Sequence, residues 1–277
     1  MKIFLLASAF LLCLNLNAQD KLQKIANEIK AEGTELYKSE MASWYGTDLF
    51  LEKFAQKREN IGGYFSYVVN NIPKCIFYSK GDTAHVIGTI IFDTAYNTRT
   101  ATVDGTDREF TATEREYFSI RSKALERVKN DTLFERYKNT DLNLIPIIKD
   151  GEKKVYILTG PQQNGVVVFG NDYLITFNKK NEIISEKRLH KNILFIHTDQ
   201  KEADSIKVTG SMHTHLPETG EFITPTDVCT LMLYEKYTPW ETHIVVSEQY
   251  MSIWNCKNNT LIIVTKDAMN KIYNDKH

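Results

Sequence analysis

The sequence predicts an α+β protein in which an α/β-type sheet is flanked by helices. Apolar residues recur at helical spacing in the first part of the chain and again after Thr111. From Leu144 onward, short apolar runs bounded by turn residues dominate, which is typical of strands. One further helix interrupts these strands near Thr224. This order of elements favours a sheet with a helix packed on one face.

The composition is that of an ordinary globular protein of one large or two small domains. The 277 residues include 34 basic and 35 acidic side chains, and 42% of the residues are hydrophobic. A formal net charge of −1 provides no general attraction for nucleic acid, so we expect no nucleic-acid partner. The low glycine and proline content, with 11% aromatic residues, argues against a disordered chain.

Residues 1–18 have the pattern of a secretory signal peptide. Lys2 provides a positive start, Ile3–Leu16 is almost wholly apolar, and Ala18 is a small residue at the expected cleavage position. We therefore expect an exported bacterial protein, periplasmic or secreted, that is cleaved after Ala18; a retained N-terminal anchor is the alternative. No later apolar run is long enough to span a membrane, so no stable span is expected after cleavage.

The cysteines do not predict a disulfide framework. The part of the chain after Ala18 has Cys75, Cys229 and Cys256, an odd number at wide spacings. One disulfide is compatible with the sequence and none is required, and small buried side chains are the simpler interpretation. The sequence leaves the oligomeric state open.

Residues 19–143 are predicted to form an accessory region of helices and one β-hairpin, and its role is not evident from the sequence. The apolar spacing predicts a first helix that ends at Gly33, then a second packing helix. Thr47–Asp48 is predicted to cap a short third helix that ends at Gly62–Gly63. The hairpin is predicted from two apolar runs on either side of a turn, Cys75–Tyr78 and His85–Phe92.

Two helix starts are marked by capping residues. Thr111 and Glu114 fit a capping box, in which each residue caps the backbone of the other. Thr224, Pro225 and Asp227 fit an N-cap, a first helical position and a third position where a carboxylate complements the helix dipole.

Residues 144–277 are predicted to form a second, strand-rich domain. One helix from Thr224 to a stop before Pro239 interrupts its strands. The predicted strands are Val155–Leu158, Gly165–Phe169, Tyr173–Phe177, Ile183–Leu189, Ile193–Ile196, His243–Val246, Met251–Trp254 and Leu261–Val264.

One segment has the spacing of a metal site. His213 and His215 are two residues apart on an extended segment, so both imidazoles point to the same face. Asp227 follows twelve residues after His215, at the start of the predicted helix, and could provide a third ligand. Two nitrogens, one carboxylate and an open position suit one catalytic Zn²⁺ ion. The alternative is structural: packed histidines and an ordinary helix cap.

These residues resemble a known family signature. His213-x-His215 followed by Thr224-x-x-Asp227 is similar to the JAMM (MPN-type) metallopeptidase pattern, His-x-His-Pro, a spacer and Ser-x-x-Asp, over about residues 150–265. The resemblance implies a JAMM/cytidine-deaminase-like sheet domain that hydrolyses a peptide or isopeptide bond. It also implies that His213, His215 and Asp227 bind zinc, that Thr224 stabilises the oxyanion, and that a glutamate near the first core strand is the general base.

The sequence departs from that pattern at three positions. Leu216 stands where the family has proline, and Thr224 replaces serine. Lys153 aligns with the family's glutamate, and Glu152 lies one residue earlier. We expect Glu152 to be the base, because it lies near the beginning of the strand, where a looser backbone can direct its side chain inward. An ordinary surface carboxylate is the alternative, because a one-residue shift in a strand points a side chain to the opposite face.

Two functions are compatible with these residues, and both have a peptide or protein as partner. The first is a zinc-dependent metallopeptidase. The second is a catalytically inactive JAMM-like domain that binds a peptide or a component of the cell envelope. Three other histidines, His190, His197 and His243, are interpreted as structural or supporting.

Overall fold

The protein has an α+β fold. The computed structural model describes residues 2–198 and 208–274, with the side chains of residues 2–18 and 272–273 excepted. The chain forms two compact units. The terminal unit comprises residues 1–34 and 201–277, and the central unit comprises residues 35–200.

The first helix, α1, runs without interruption from Lys2 to Lys53. The predicted stop at Gly33 is wrong, and so is the separate cap at Thr47–Asp48. A Cβ atom at Gly33 would lie 2.6 Å from the Cβ atom of Val228, which shows that glycine is needed here for close packing. Among the described residues, no helix is long and apolar enough to cross a membrane.

The central unit contains the last part of α1, followed by a four-stranded antiparallel sheet. The predicted hairpin is confirmed, since its two runs form β2 and β3 and pair with each other. Gly62–Gly63 does not end a helix but opens β1, at an irregularity in its pairing with β2. The strands, in sheet order, are β1 (Ile61–Val69), β2 (Ile72–Ser79), β3 (Val86–Ile91) and β4 (Thr102–Asp104).

A helix and two further sheets complete the central unit. Helix α2 spans Ala112–Asn130, and its predicted capping box is present. Its buried face packs on the second sheet through Ile120, Ala124 and Val128. That sheet consists of β5 (Thr140–Lys149), β6 (Glu152–Pro161), β8 (Tyr173–Phe177) and β9 (Ile183–Arg188), and β7 (Val166–Gly170) pairs with β10 (Ile193–His197).

The terminal unit contains a mixed four-stranded sheet. Strand β11 is parallel to β12, and the other neighbouring pairs are antiparallel. The side chain of Trp254 is fully buried in this unit. The elements after residue 208 are β11 (Gly210–Thr214), α3 (Pro225–Tyr234), β12 (Thr242–Val246), β13 (Tyr250–Asn255), β14 (Thr260–Thr265) and α4 (Lys266–Asn274).

The contacts divide the chain at different positions from the predicted domains. The sequence predicts one domain for residues 144–277, whereas the contacts assign β5 to β10 to the central unit. The physical reason is that the apolar face of α2 is covered by β6 and β8, so these elements share one core.

The three cysteines after residue 18 are not joined in disulfides. Cys75, Cys229 and Cys256 are all thiols, and the first two are buried. The interpretation as small buried side chains is therefore confirmed for Cys75 and Cys229.

Candidate metal centre

The two histidines of the His-x-His segment lie side by side at the end of β11. His213 is in the strand, opposite Val245 of β12. His215 follows the strand end, and its amide donates to the Val246 carbonyl at 2.9 Å, so the extended course continues through it. Their two Nε2 atoms are 3.1 Å apart. Both imidazoles therefore reach one point, as the spacing predicts.

The first turn of α3 brings Asp227 to the same place. Thr224 is the N-cap residue, Pro225 opens the helix, and Asp227 completes a capping box with Thr224, which confirms the predicted helix start. The Asp227 carboxylate is fully buried, with Oδ2 3.3 Å from His215 Nε2 and Oδ1 3.7 Å from His213 Nε2.

The Thr224 hydroxyl is committed to Asp227. It donates to Oδ2 at 2.7 Å, and the Thr224 amide donates to the same oxygen at 2.9 Å. The hydroxyl oxygen in turn accepts from the Asp227 amide at 3.1 Å. In this geometry, Thr224 orients the carboxylate.

The donor atoms fit a metal ion. Two imidazole nitrogens and a carboxylate are a ligand set that zinc prefers, and tetrahedral bonds of about 2.0–2.1 Å place two ligand atoms about 3.3 Å apart. The separations of 3.1, 3.3 and 3.7 Å are close to this value. His215 and Asp227 are buried, and a buried carboxylate requires a compensating positive charge or hydrogen bonds. The group could therefore hold a metal ion.

The backbone sets the tautomer of His215. Its Nδ1 lies 2.9 Å from the carbonyl oxygen of Phe222. A carbonyl oxygen only accepts hydrogen bonds, so Nδ1 carries the proton in this bond. In the neutral ring, Nε2 then presents its lone pair, which is the form that binds a metal.

A third histidine supports His213. His243 on β12 is fully buried, and its Nε2 lies 2.9 Å from His213 Nδ1. Its Nδ1 lies 2.7 Å from the hydroxyl oxygen of Ser211. Burial, and secondly the neighbouring His213, lowers the pKa of His243 to about 3, so its ring is neutral at pH 7. His243 was expected to be a hydrogen-bonded core histidine, and this is confirmed.

Sequence reasoning did not connect His243 or Ser211 to His213. Ser211 lies opposite His243 in the parallel pairing of β11 with β12. The sequence signal is that Ser211 shares a strand face with His213. That signal has meaning only once the partner strand and its register are known.

The predicted base is in a different unit from these residues. Glu152 is the first residue of β6 in the central unit, and its side chain is 69% exposed. The ammonium group of Lys154, 2.8 Å away, lowers the pKa of Glu152 through its hydrogen bond and charge. The adjacent Lys153 is buried, and its ammonium group binds Glu116 and Asn181.

His190 also belongs to the central unit, where it is buried. Its Nδ1 lies 3.3 Å from Asp172 Oδ2. The structure thus brings together His213, His215, Thr224 and Asp227 in the terminal unit, and it places Glu152 in the central unit as an exposed, ion-paired carboxylate.

No protein-family model, curated protein or solved structure matches this chain.

Proposed function

We propose that this protein is a zinc-dependent hydrolase that cleaves a peptide or isopeptide bond, as its resemblance to JAMM metallopeptidases implies. The observation that carries the proposal is the convergence of His213, His215 and Asp227 within 3.1–3.7 Å of one another. Three protein ligands leave one position of a tetrahedral ion open, which is the arrangement of catalytic rather than structural zinc sites.

In this proposal, each residue has a defined task. When bound, zinc supplies Lewis acidity: it polarises a carbonyl and lowers the pKa of a coordinated water. His213 and His215 would hold the ion through Nε2, and Asp227 would contribute negative charge. Thr224 holds Asp227 in place, because both its amide and its hydroxyl donate to the carboxylate. Donation from Thr224 to an oxyanion, as the resemblance implies, requires the hydroxyl to leave Asp227.

Proton transfer to the leaving amine is assigned to Glu152. Its pKa is lowered by Lys154, so the carboxylate is ionised at neutral pH, as a base must be. The same ion pair and the 69% exposure favour a second candidate function. In that candidate, the site binds metal without hydrolysis and the protein binds a peptide or an envelope component.

Metal content tests the centre itself. We expect the purified protein, reconstituted with Zn²⁺ and desalted, to retain about one ion per chain. The double variant His213→Ala/His215→Ala should retain none. The matched control is His85→Ala/His197→Ala, which removes two histidines of the central unit and should keep the metal. A parent protein without zinc would show that the convergent side chains are only packed.

Peptide hydrolysis separates the two functions. If Glu152 is the base, Glu152→Gln should lower kcat by about 10²-fold or more while zinc content stays unchanged. Glu59→Gln, at an exposed carboxylate of the central unit, is the control. A zinc-loaded parent with no hydrolysis of peptide or isopeptide substrates would favour the binding module. Equal rates for Glu152→Gln and parent would exclude Glu152 as the base.

A further inference from the structure

A continuous row of hydrogen-bonding groups leads from Ser211 to the candidate metal centre. Ser211 Oγ lies 2.7 Å from His243 Nδ1, and His243 Nε2 lies 2.9 Å from His213 Nδ1. His213 Nε2 then lies 3.1 Å from His215 Nε2. His243 and His213 thus each use both ring nitrogens, one toward each neighbour in the row.

Two proton arrangements make hydrogen bonds at both the Ser211–His243 and the His243–His213 contacts when every ring is neutral. In the first, Ser211 donates to His243, His243 Nε2 donates to His213 Nδ1, and His213 Nε2 donates to His215 Nε2. In the second, the two hydrogen bonds of His243 run the other way: His213 Nδ1 donates to His243 Nε2, and His243 Nδ1 donates to Ser211. Only the second arrangement leaves a lone pair on His213 Nε2.

We propose that Ser211 and His243 are positioning residues that hold His213 in the Nδ1-protonated tautomer, so that its Nε2 presents a lone pair to the metal. This inference rests on the proposed zinc centre. It assigns a task to two residues beyond the ligands: His243 accepts from the protonated Nδ1 of His213, and Ser211 accepts from His243. The hydroxyl of Ser211 can either donate or accept, so it is compatible with both arrangements.

The fold supports this task. Ser211 and His213 are on the same face of β11, and His243 lies opposite Ser211 on β12. His243 is fully buried, so water does not replace either of its partners. The ring of Trp240 lies against His243, with centroids 6.0 Å apart. In the second arrangement the Nε2 lone pairs of His213 and His215 point to the same position, and a cation there relieves their repulsion.

Zinc affinity and ring-nitrogen chemical shifts test the proposal on the full chain. We expect His243→Leu to weaken zinc binding, measured by chelator competition, by about 10–100-fold. His243→Gln should retain most of the affinity, because its amide oxygen can accept from His213 Nδ1. Ser211→Ala should weaken binding less than His243→Leu. The matched control is Ser247→Ala, at a buried serine of the same unit whose hydroxyl binds Glu221 and the Tyr250 carbonyl.

The spectroscopic readout is the ¹⁵N NMR shift of the imidazole nitrogens. In the zinc-loaded parent, we expect protonated Nδ1 and metal-bound Nε2 for His213, and protonated Nδ1 for His243. A merely structural role for His243 would not require this tautomer. The opposite tautomer of His243, with the proton on Nε2, overturns the proposal.

The outcomes separate this inference from the proposed function. If the parent binds no zinc, both fail. If the parent binds zinc and folded His243→Leu binds it equally well, only the positioning role fails. Should His243→Leu not fold, Ser211→Ala decides, because it removes only a hydroxyl: a change in affinity beyond that of Ser247→Ala supports the role, and no such change overturns it.

Discussion

At the scale of single residues, hydrogen bonds to one atom of each side chain determine which nitrogen or oxygen can bind a ligand. His215 donates from Nδ1 to the Phe222 carbonyl, and Asp227 receives two hydrogen bonds from Thr224 on Oδ2. These bonds involve the backbone or a helix cap, so they exist independently of any metal. They hold the side chains in place for coordination and so reduce the conformational entropy that is lost when a metal binds.

Replacement of Asp227 by asparagine tests the role of its charge. Asp227→Asn keeps the side-chain shape and an oxygen that can accept from Thr224, but it removes the negative ligand. We expect zinc affinity to fall by at least about tenfold, with little loss of thermal stability, as measured by chelator competition and thermal unfolding.

The control for that experiment is Asp267→Asn, which changes the first-turn carboxylate of α4 in the same unit. This variant should bind zinc as the parent does. Unchanged affinity in Asp227→Asn would mean that the carboxylate only caps α3.

At the scale of elements, glycines and caps decide how helices meet their neighbours. Gly33 is inside α1 because a side chain there would collide with Val228 of α3. In the central unit, Gly46 has the same role against Cys75, whose Cβ would lie 2.7 Å from an added Cβ. A glycine that would mark a helix end in a sequence therefore marks close packing here.

Helix α2 provides a stability prediction that depends on pH. Glu114 is buried, and burial alone raises its pKa, but hydrogen bonds from Arg108 and Thr111 lower it below its ordinary value. The unfolded chain therefore binds this proton at higher pH than the folded protein does. The contribution of Glu114 is complete above the ordinary pKa of about 4.5 and is lost as the pH falls through the lower folded value.

We expect Glu114→Gln to lower the free energy of unfolding at pH 7 by about 2 kcal/mol. Its stability should also depend less on pH below 4.5 than that of the parent. Denaturant unfolding at a series of pH values measures both. Glu126→Gln, at an exposed position of the same helix, is the control and should behave as the parent does. Parallel curves for Glu114→Gln and parent would contradict the ion pair.

At the scale of the whole molecule, we propose that the protein is exported and begins at Gln19 after cleavage. Residues 2–18 are the start of α1, and their removal would leave a helix from residue 19 to Lys53. Intact mass spectrometry of the protein recovered from the periplasm or medium of a bacterial host should give the mass of residues 19–277. Ala18→Phe should block cleavage, because the cleavage site requires a small residue. A parent that retains Met1 would support the N-terminal anchor.

The fold was predictable where short-range patterns determine it. The capping box at Thr111, the N-cap at Thr224 and the hairpin of β2 and β3 were all predicted correctly, because capping and turn formation depend on residues a few positions apart. Strand β1 and the continuity of α1 were missed. The glycines in these elements lie where another element packs closely against the backbone. Short-range sequence patterns carry no information about such contacts.

The sequence by itself determined the local geometry of the site. The i, i+2 spacing brings His213 and His215 to one side of β11, and the N-cap places Asp227 in the first turn of α3. The tertiary structure alone decided that these two pieces meet, that His243 stands opposite Ser211, and that Glu152 lies in the central unit. The physical reason is that strand register and helix packing depend on cores formed by residues far apart in the chain, whereas capping and strand alternation depend on immediate neighbours.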